Sequence, residues 1–190
     1  MFFTSSVCYS QTYDYSIHDL KTGKFKNDSN YVYSLPFEKK KKVFLIQGYD
    51  SKMSHKGEYA LDFKVKKKTK ICAARDGVVI GTREDSDKGG LKSENLSDGN
   101  FISIQHYDGS VGHYWHLYKN GVLVNVGDTV KKGQVIGLTG NTGYSAFPHL
   151  HFEVVGNDSK GNYGQLVTRF YTNKGIIYLR PGHFYKRHTE

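Results

Sequence analysis

The sequence predicts an all-β protein built from short antiparallel strands. Three observations point there. The 190 residues carry 21 Gly, 15 Tyr and 11 Phe against 3 Pro, a balance suited to strands joined by tight turns. Short apolar runs are punctuated by turn residues along the whole chain. No stretch shows a sustained helical period, a heptad or a simple repeat. The length suits one domain with its own core.

Taken in order, residues 1–10 read as the remnant of a secretory signal. Cys8-Tyr9-Ser10 has the small-x-small form of a cleavage site before Gln11, without a basic start or a full apolar core; a frayed terminus is the competing reading. Residues 11–42 are polar and Tyr-rich and read as an N-terminal extension packed on the core, extended from Tyr31 to Pro36. Val43-Phe44-Leu45-Ile46-Gln47 is a strand, Gly48 to Gly57 a loop, and Tyr59 to Val65 a strand carrying Asp62. Ile71-Cys72-Ala73-Ala74 reads as a buried strand in which cysteine serves as a small hydrophobe. Val78-Val79-Ile80 is the next strand. Thr82 to Gly99 lacks an apolar period and reads as a long surface loop, a candidate groove wall or lid.

Asn100 to Gln105 and Val111 to Leu117 form a hairpin about Asp108-Gly109. In the return strand, alternation puts Gly112, Tyr114 and His116 on one face and Val111, His113, Trp115 and Leu117 on the other. Val122–Val126 and Gln134–Leu138 make a further hairpin series. From Gly140, turn chemistry gives way to a strand running Leu150 to Val155. Residues 156–190 add a C-terminal β extension, with strands near Gln165–Tyr171 and Ile176–Leu179.

The formal net charge is +9, which draws such a chain to polyanions, either nucleic acid or a cell wall bearing anionic polymers. The lysine runs at 39–42 and 66–68 read as solvated strand ends. No recognised RNA- or DNA-binding motif appears, which argues against specific nucleic-acid binding. Two cysteines are too few for a disulfide framework, and no Cys-x-x-Cys exists to hold zinc through sulfur. No apolar run approaches the roughly 18 residues of a membrane span. Asp85 and Asp87 lack the full calcium-loop pattern.

The chemistry concentrates at Pro148-His149-Leu150-His151-Phe152-Glu153. In a strand, His149 and His151 share one face while Leu150, Phe152 and Val154 fill the other. Two imidazoles aimed at one spot suit a metal such as zinc; the bland alternative is two unrelated polar residues on a solvated face.

This segment resembles the last signature of the lysostaphin/LytM-type zinc metallopeptidases, which cut peptidoglycan peptides. That family also carries an upstream metal-binding His and Asp, and a His in a Tyr-x-His-Leu context. His55, Asp62 and His116 fill those places in the right order, and the resemblance covers residues 43–155. It implies a LytM-like core, an antiparallel barrel-sandwich hybrid with a duplicated hybrid motif. It implies one Zn2+ per chain on His55, Asp62 and His151, leaving the fourth position for a water that zinc makes a better nucleophile. It gives His149 and His116 catalytic roles, His149 as general base and His116 on the water or the oxyanion. The activity implied is endopeptidase hydrolysis of peptidoglycan stem peptides or cross-bridges, by a monomer exported to the periplasm, envelope or exterior. A non-catalytic wall-binding or regulatory module on the same fold is the alternative.

Two departures stand out. The family's commonest pattern has the Asp four residues after the His; here that position is Tyr59 and Asp62 lies three further on, with Glu58 as the competing carboxylate. A Gly-Thr-Pro-Val turn is replaced by Lys68-Thr69-Lys70-Ile71. The remaining histidines read as bland: His113 packs beside Trp115, His106 ends a strand, and His18, His183 and His188 lie outside the matching region. Gly127-Asp128-x-Val130-x-Lys132-Gly133-Gln134 resembles the hairpin of biotinyl and lipoyl carriers, in architecture alone.

Overall fold

A computed structural model describes residues 31–158 and 160–187. The signal reading of 1–10, the first part of the extension, Cys8, His18 and His188 lie outside the described residues. In chain order the strands are β1 (Val32–Ser34), β2 (Lys42–Gln47), β3 (Ala60–Lys64), β4 (Lys70–Cys72), β5 (Gly77–Arg83) and β6 (Gly89–Gly90). A 3-10 turn at Ser93–Asp98 leads to β7 (Phe101–Gln105), β8 (Val111–Trp115), β9 (Leu117–Val122), β10 (Thr129–Val130) and β11 (Val135–Thr139). Then follow β12 (Gly143–Tyr144), β13 (His149–Asn157), β14 (Tyr163–Gln165), β15 (Arg169–Thr172), β16 (Gly175–Ile177) and β17 (Phe184–Lys186). No helix among the described residues is long and apolar enough to cross a membrane.

The principal sheet has nine strands in the order β10-β5-β7-β8-β13-β3-β2-β17, with β14 paired to β13. A second sheet, β4-β11-β9, covers one of its faces. Gly137 of β11 shows how closely the two layers approach, since a Cβ there would stand 3.1 Å from the Ile102 side chain of β7. The all-β, antiparallel expectation holds.

Between the layers lie the alternate residues of each strand: Ile102 and Ile104, Tyr114, Leu61 and Phe63, and Leu150, Phe152 and Val154, all buried. Tyr114 and Phe152 pack with ring centroids 5.0 Å apart. The Tyr114 hydroxyl accepts a hydrogen bond from the Ala74 amide at 2.8 Å, tying the edge of the second sheet to the first. Tyr33, Leu35 and Phe37 are at most 1% exposed. Burying side chains of that size contributes roughly 1.5–3 kcal/mol each, enough to hold the segment onto the core. β1 pairs in parallel with β15, so the segment around residue 33 and the chain beyond residue 165 meet in one small sheet.

Two expectations need correction. Thr82 to Gly99 is not structureless: its first residues extend β5, Gly89–Gly90 pair in parallel with Gly143–Tyr144, and Ser93–Asp98 form a 3-10 turn. Hydrogen bonding between two loops carries no apolar period, so the pattern could not announce it. Val111 to Leu117 is not one strand. It breaks at His116, whose φ of 63° lies in the left-handed region, and β9 starts afresh. The C-terminal residues add a strand beyond those read from the sequence, Phe184–Lys186, which pairs with β2 at the edge of the principal sheet.

Candidate metal centre

Strand pairing alone assembles most of the site. Partners across an antiparallel ladder send their side chains to the same side of the sheet. His151 of β13 is registered with Asp62 of β3 on one side and Trp115 of β8 on the other. His149, two residues earlier, shares that side, while Leu150 and Phe152 enter the core. This is the outer face of the principal sheet, opposite the second layer.

Asp62 is 5% exposed and sits at the hub. Its Oδ1 accepts from His151 Nδ1 at 3.0 Å and lies 3.5 Å from His149 Nε2. Its Oδ2 lies 3.2 Å from His55 Nε2 and accepts from Gln47 Nε2 at 2.7 Å. Gln47 reaches it because the β2–β3 register shifts between Leu45 and Gln47, an irregularity that brings Gln47 opposite Asp62. Ser54 fixes the Gln47 amide from both ends. Glu58 belongs to neither cluster of converging ligand atoms.

Three of the imidazoles are locked the same way. His55 Nδ1 faces the carbonyl of Ala60 at 3.1 Å, His116 Nδ1 that of Thr142 at 2.7 Å, and His149 Nδ1 that of Phe147 at 2.8 Å. A carbonyl only accepts, so each Nδ1 carries the proton and each neutral ring presents a bare Nε2. In His55 and His149 that bare nitrogen faces a carboxylate oxygen. Two acceptors face each other stably only with a cation between them. The donor set therefore fits a metal ion.

The spacing agrees. The ligand atoms of His55, Asp62 and His151 all lie within 4.8 Å of one another, and so do those of His116, His149 and His151. A tetrahedral zinc with ligands near 2.0–2.1 Å asks for atoms about 3.3 Å apart, a small contraction from this arrangement. All five histidine and aspartate positions expected from the sequence thus come together at one place.

Burial shapes their protonation. Burial alone would raise the Asp62 carboxyl, but the hydrogen bond and charge of the His151 imidazole outweigh it and hold the group well below the usual carboxylate range. Burial would lower His151, yet the Asp62 carboxylate raises it to about 9. Burial, reinforced by neighbouring imidazoles, depresses His116 to about 3, and burial also lowers His149. Both therefore stand neutral near pH 7.

The break at His116 corrects the expected faces of β8. His116 turns away from Tyr114, which is fully buried, and its ring lies 4.6 Å from that of His149. His113 does not point away from the site either, because it is registered with Glu153 on the outer face. There its Nδ1 lies 2.7 Å from Ser103 Oγ, and Trp115 stacks on Phe101 with centroids 4.8 Å apart. Trp115 donates to Glu153 at 3.3 Å, and Gln165 donates to the same carboxylate. An aromatic floor with one carboxylate therefore extends from the centre. Gln47, Thr142 and Phe147 were not foreseen; two of them act through backbone carbonyls, which no side-chain pattern marks.

A model of peptidase family M23 matches residues 55–163, a span that contains all five site residues. The glycyl-glycine endopeptidase ALE-1 of Staphylococcus capitis is 35% identical over 117 residues, covering 62% of this chain and 30% of that relative. The peptidoglycan DD-endopeptidase ShyA of Vibrio cholerae is 38% identical over 94 residues, covering 50% and 19%. Among solved structures, a zinc-containing peptidase from Vibrio cholerae superposes with a TM-score of 0.50 at 27% identity, over 69% of this chain and 37% of that one. The chain spans less than a third of the length of these two curated relatives.

Proposed function

This chain belongs to peptidase family M23, and on that premise we propose that it is an exported zinc endopeptidase that hydrolyses peptide bonds in peptidoglycan stem peptides or cross-bridges. The observation that carries the reading is the set of bare imidazole nitrogens aimed at Asp62. His55 through Nε2, Asp62 through a carboxylate oxygen and His151 through Nδ1 would hold the ion. Zinc bound there supplies Lewis-acid chemistry, polarising a carbonyl and acidifying a water.

The chain's own residues then move the protons. His149 is neutral and offers Nε2 as the base that takes a proton from the attacking water. Its Nδ1–H stays on the Phe147 carbonyl, so the imidazolium is held by a backbone acceptor, with the Asp62 charge beside it. As the C–N bond breaks, that proton passes to the departing amine nitrogen, leaving a carboxylate and an amine. His116 also presents a bare Nε2, which suits accepting a hydrogen bond from the water and orienting it. Donating to the oxyanion would need an imidazolium, which burial opposes. The aromatic floor of Phe101 and Trp115 gives the peptide a flat surface beside the centre. The net charge of +9 favours retention on an anionic wall.

Zinc content measured alongside hydrolysis of purified peptidoglycan, for wild type and His149→Gln, tests the reading. The expected result is about one zinc per chain in both, with cross-link fragments released by wild type alone. Zinc binding without cleavage of any peptidoglycan type would shift the assignment to a wall-binding module. A wild-type chain that holds no metal would overturn it.

A further inference from the structure

The aromatic floor beside the metal centre carries a carboxylate. Glu153 lies two residues past His151 on β13, on the same outer face, registered with His113 of β8 and Ala60 of β3. Two strand residues span about 7 Å, so the carboxylate stands about that far along the sheet from the His151 ligand. Two donors aim it. Trp115 Nε1 donates to one carboxylate oxygen at 3.3 Å and Gln165 Nε2 donates to the other. The Gln165 amide is itself oriented, because its oxygen accepts from the Tyr59 backbone N–H at 2.8 Å and its NH2 end is left facing Glu153.

Both donors are neutral, so they orient Glu153 without offsetting its charge. The side chain is half-buried, and a carboxylate partly withdrawn from water is stabilised when a cation joins it. The neighbouring rings favour a cation as well. Trp115 and Phe101 are registered across β8 and β7, pack with centroids 4.8 Å apart and keep part of their surface open. Aromatic faces, the indole above all, attract an ammonium through their negative quadrupole. Gly99 lets the segment after the 3-10 turn close against that indole, since a Cβ there would stand 3.3 Å from Trp115 Cε3. Arg83, registered with Phe101, is committed to Asp85 at 2.6 Å. A carboxylate beside an aromatic face is the chemistry that recognises a protonated primary amine.

We infer that Glu153 is a specificity-determining residue, which selects peptides carrying a protonated amino group and seats that ammonium between its carboxylate and the Trp115 ring. Its consequence for cleavage rests on the peptidase reading: the amine would lie about 7 Å from the scissile bond. The ammonium site itself can be measured without turnover.

Trp115 is the one tryptophan of the chain, so its fluorescence reports on this site. The full chain is titrated at matched ionic strength with an end-capped alanyl-lysyl-alanine peptide and with the same peptide acetylated on its lysine. The net charge of +9 repels the free amine overall, so a preference for it is a local effect. The free-amine peptide should bind about tenfold more tightly. Glu153→Gln should erase that preference while zinc content and melting temperature are kept; a merely structural Glu153 would lower stability in the variant, with both peptides bound alike in wild type. A second arm compares hydrolysis of peptidoglycan with its amino groups free or acetylated, where wild type should favour the free form by about tenfold in kcat/KM and Glu153→Gln should not discriminate. Failure to cut either material removes the peptidase reading and leaves the fluorescence comparison to decide the site. Equal affinity for the two peptides in wild type, no saturable change with either, cleavage indifferent to acetylation, or a preference undiminished in Glu153→Gln would overturn the inference.

Discussion

Gln47 donates through Nε2 to Oδ2 of Asp62 at 2.7 Å, the same oxygen that lies 3.2 Å from His55 Nε2. The bond fixes the carboxylate's rotation, so one oxygen faces His55 while the other faces His151 and His149. Removing an outer partner of a metal-binding carboxylate typically weakens the metal about 10–100-fold. Gln47→Leu, similar in volume, should fold and show zinc affinity lowered by about that factor in chelator competition. Wild-type affinity in the variant would show that the amide does not orient Asp62.

His116 stands in a left-handed backbone conformation, with φ at 63°. Asn tolerates that region better than Ala, for which it costs about 1–2 kcal/mol. His116→Ala should therefore lose both activity and stability, while His116→Asn should keep its melting temperature within a few degrees. Both should cut kcat by about 100-fold or more with zinc content unchanged. Loss of zinc in His116→Asn would place the ring among the ligands instead.

The strands, the buried faces of Leu150, Phe152 and Val154, and the convergence of His149 and His151 were legible because period-two alternation records which side is buried. The failures share one cause. At His116 a single left-handed residue resets the alternation, so counting by twos placed the ring on the wrong face and misjudged His113 as well. At Gln47 a register shift does the same. Backbone irregularities carry no side-chain signature, and here they place the residues that finish the centre. The Ala60, Phe147 and Thr142 carbonyls that set the tautomers are equally silent in sequence.

His106 links stability to pH away from the centre. Burial holds its pKa below the ordinary imidazole value, although its Nδ1 donates to the Asp76 carbonyl at 2.9 Å. Its Nε2 has no hydrogen-bond partner among the described residues. The unfolded chain takes up this proton near pH 6.5 and the folded one resists it, so the neutral ring favours the native state at pH 7. That advantage is lost as pH falls below about 6.5, by at most about 1.4 kcal/mol per pH unit. Urea unfolding at pH 7.5, 6 and 5 should show a shallower decline in His106→Gln than in wild type. Parallel slopes would remove His106 from the acid response.

Tyr114→Phe isolates the tie between the two sheets. The ring stays packed against Phe152, but the buried Ala74 amide loses its acceptor. The expected destabilisation is about 1–3 kcal/mol in denaturant melts, with zinc content unaltered. A variant as stable as wild type would mean that another acceptor takes over.

The pairing of Asp62 with His151 spans 89 residues of chain. During synthesis at about 5–20 residues per second, Asp62 and His55 are added to the chain on the order of 5 to 20 seconds before His151. A nascent chain therefore cannot assemble this ligand set until its central strand, β13, slots between β3 and β8. The ion's site is completed by one of the last strand insertions, so a ribosome-stalled chain ending before residue 149 should hold no zinc at this site.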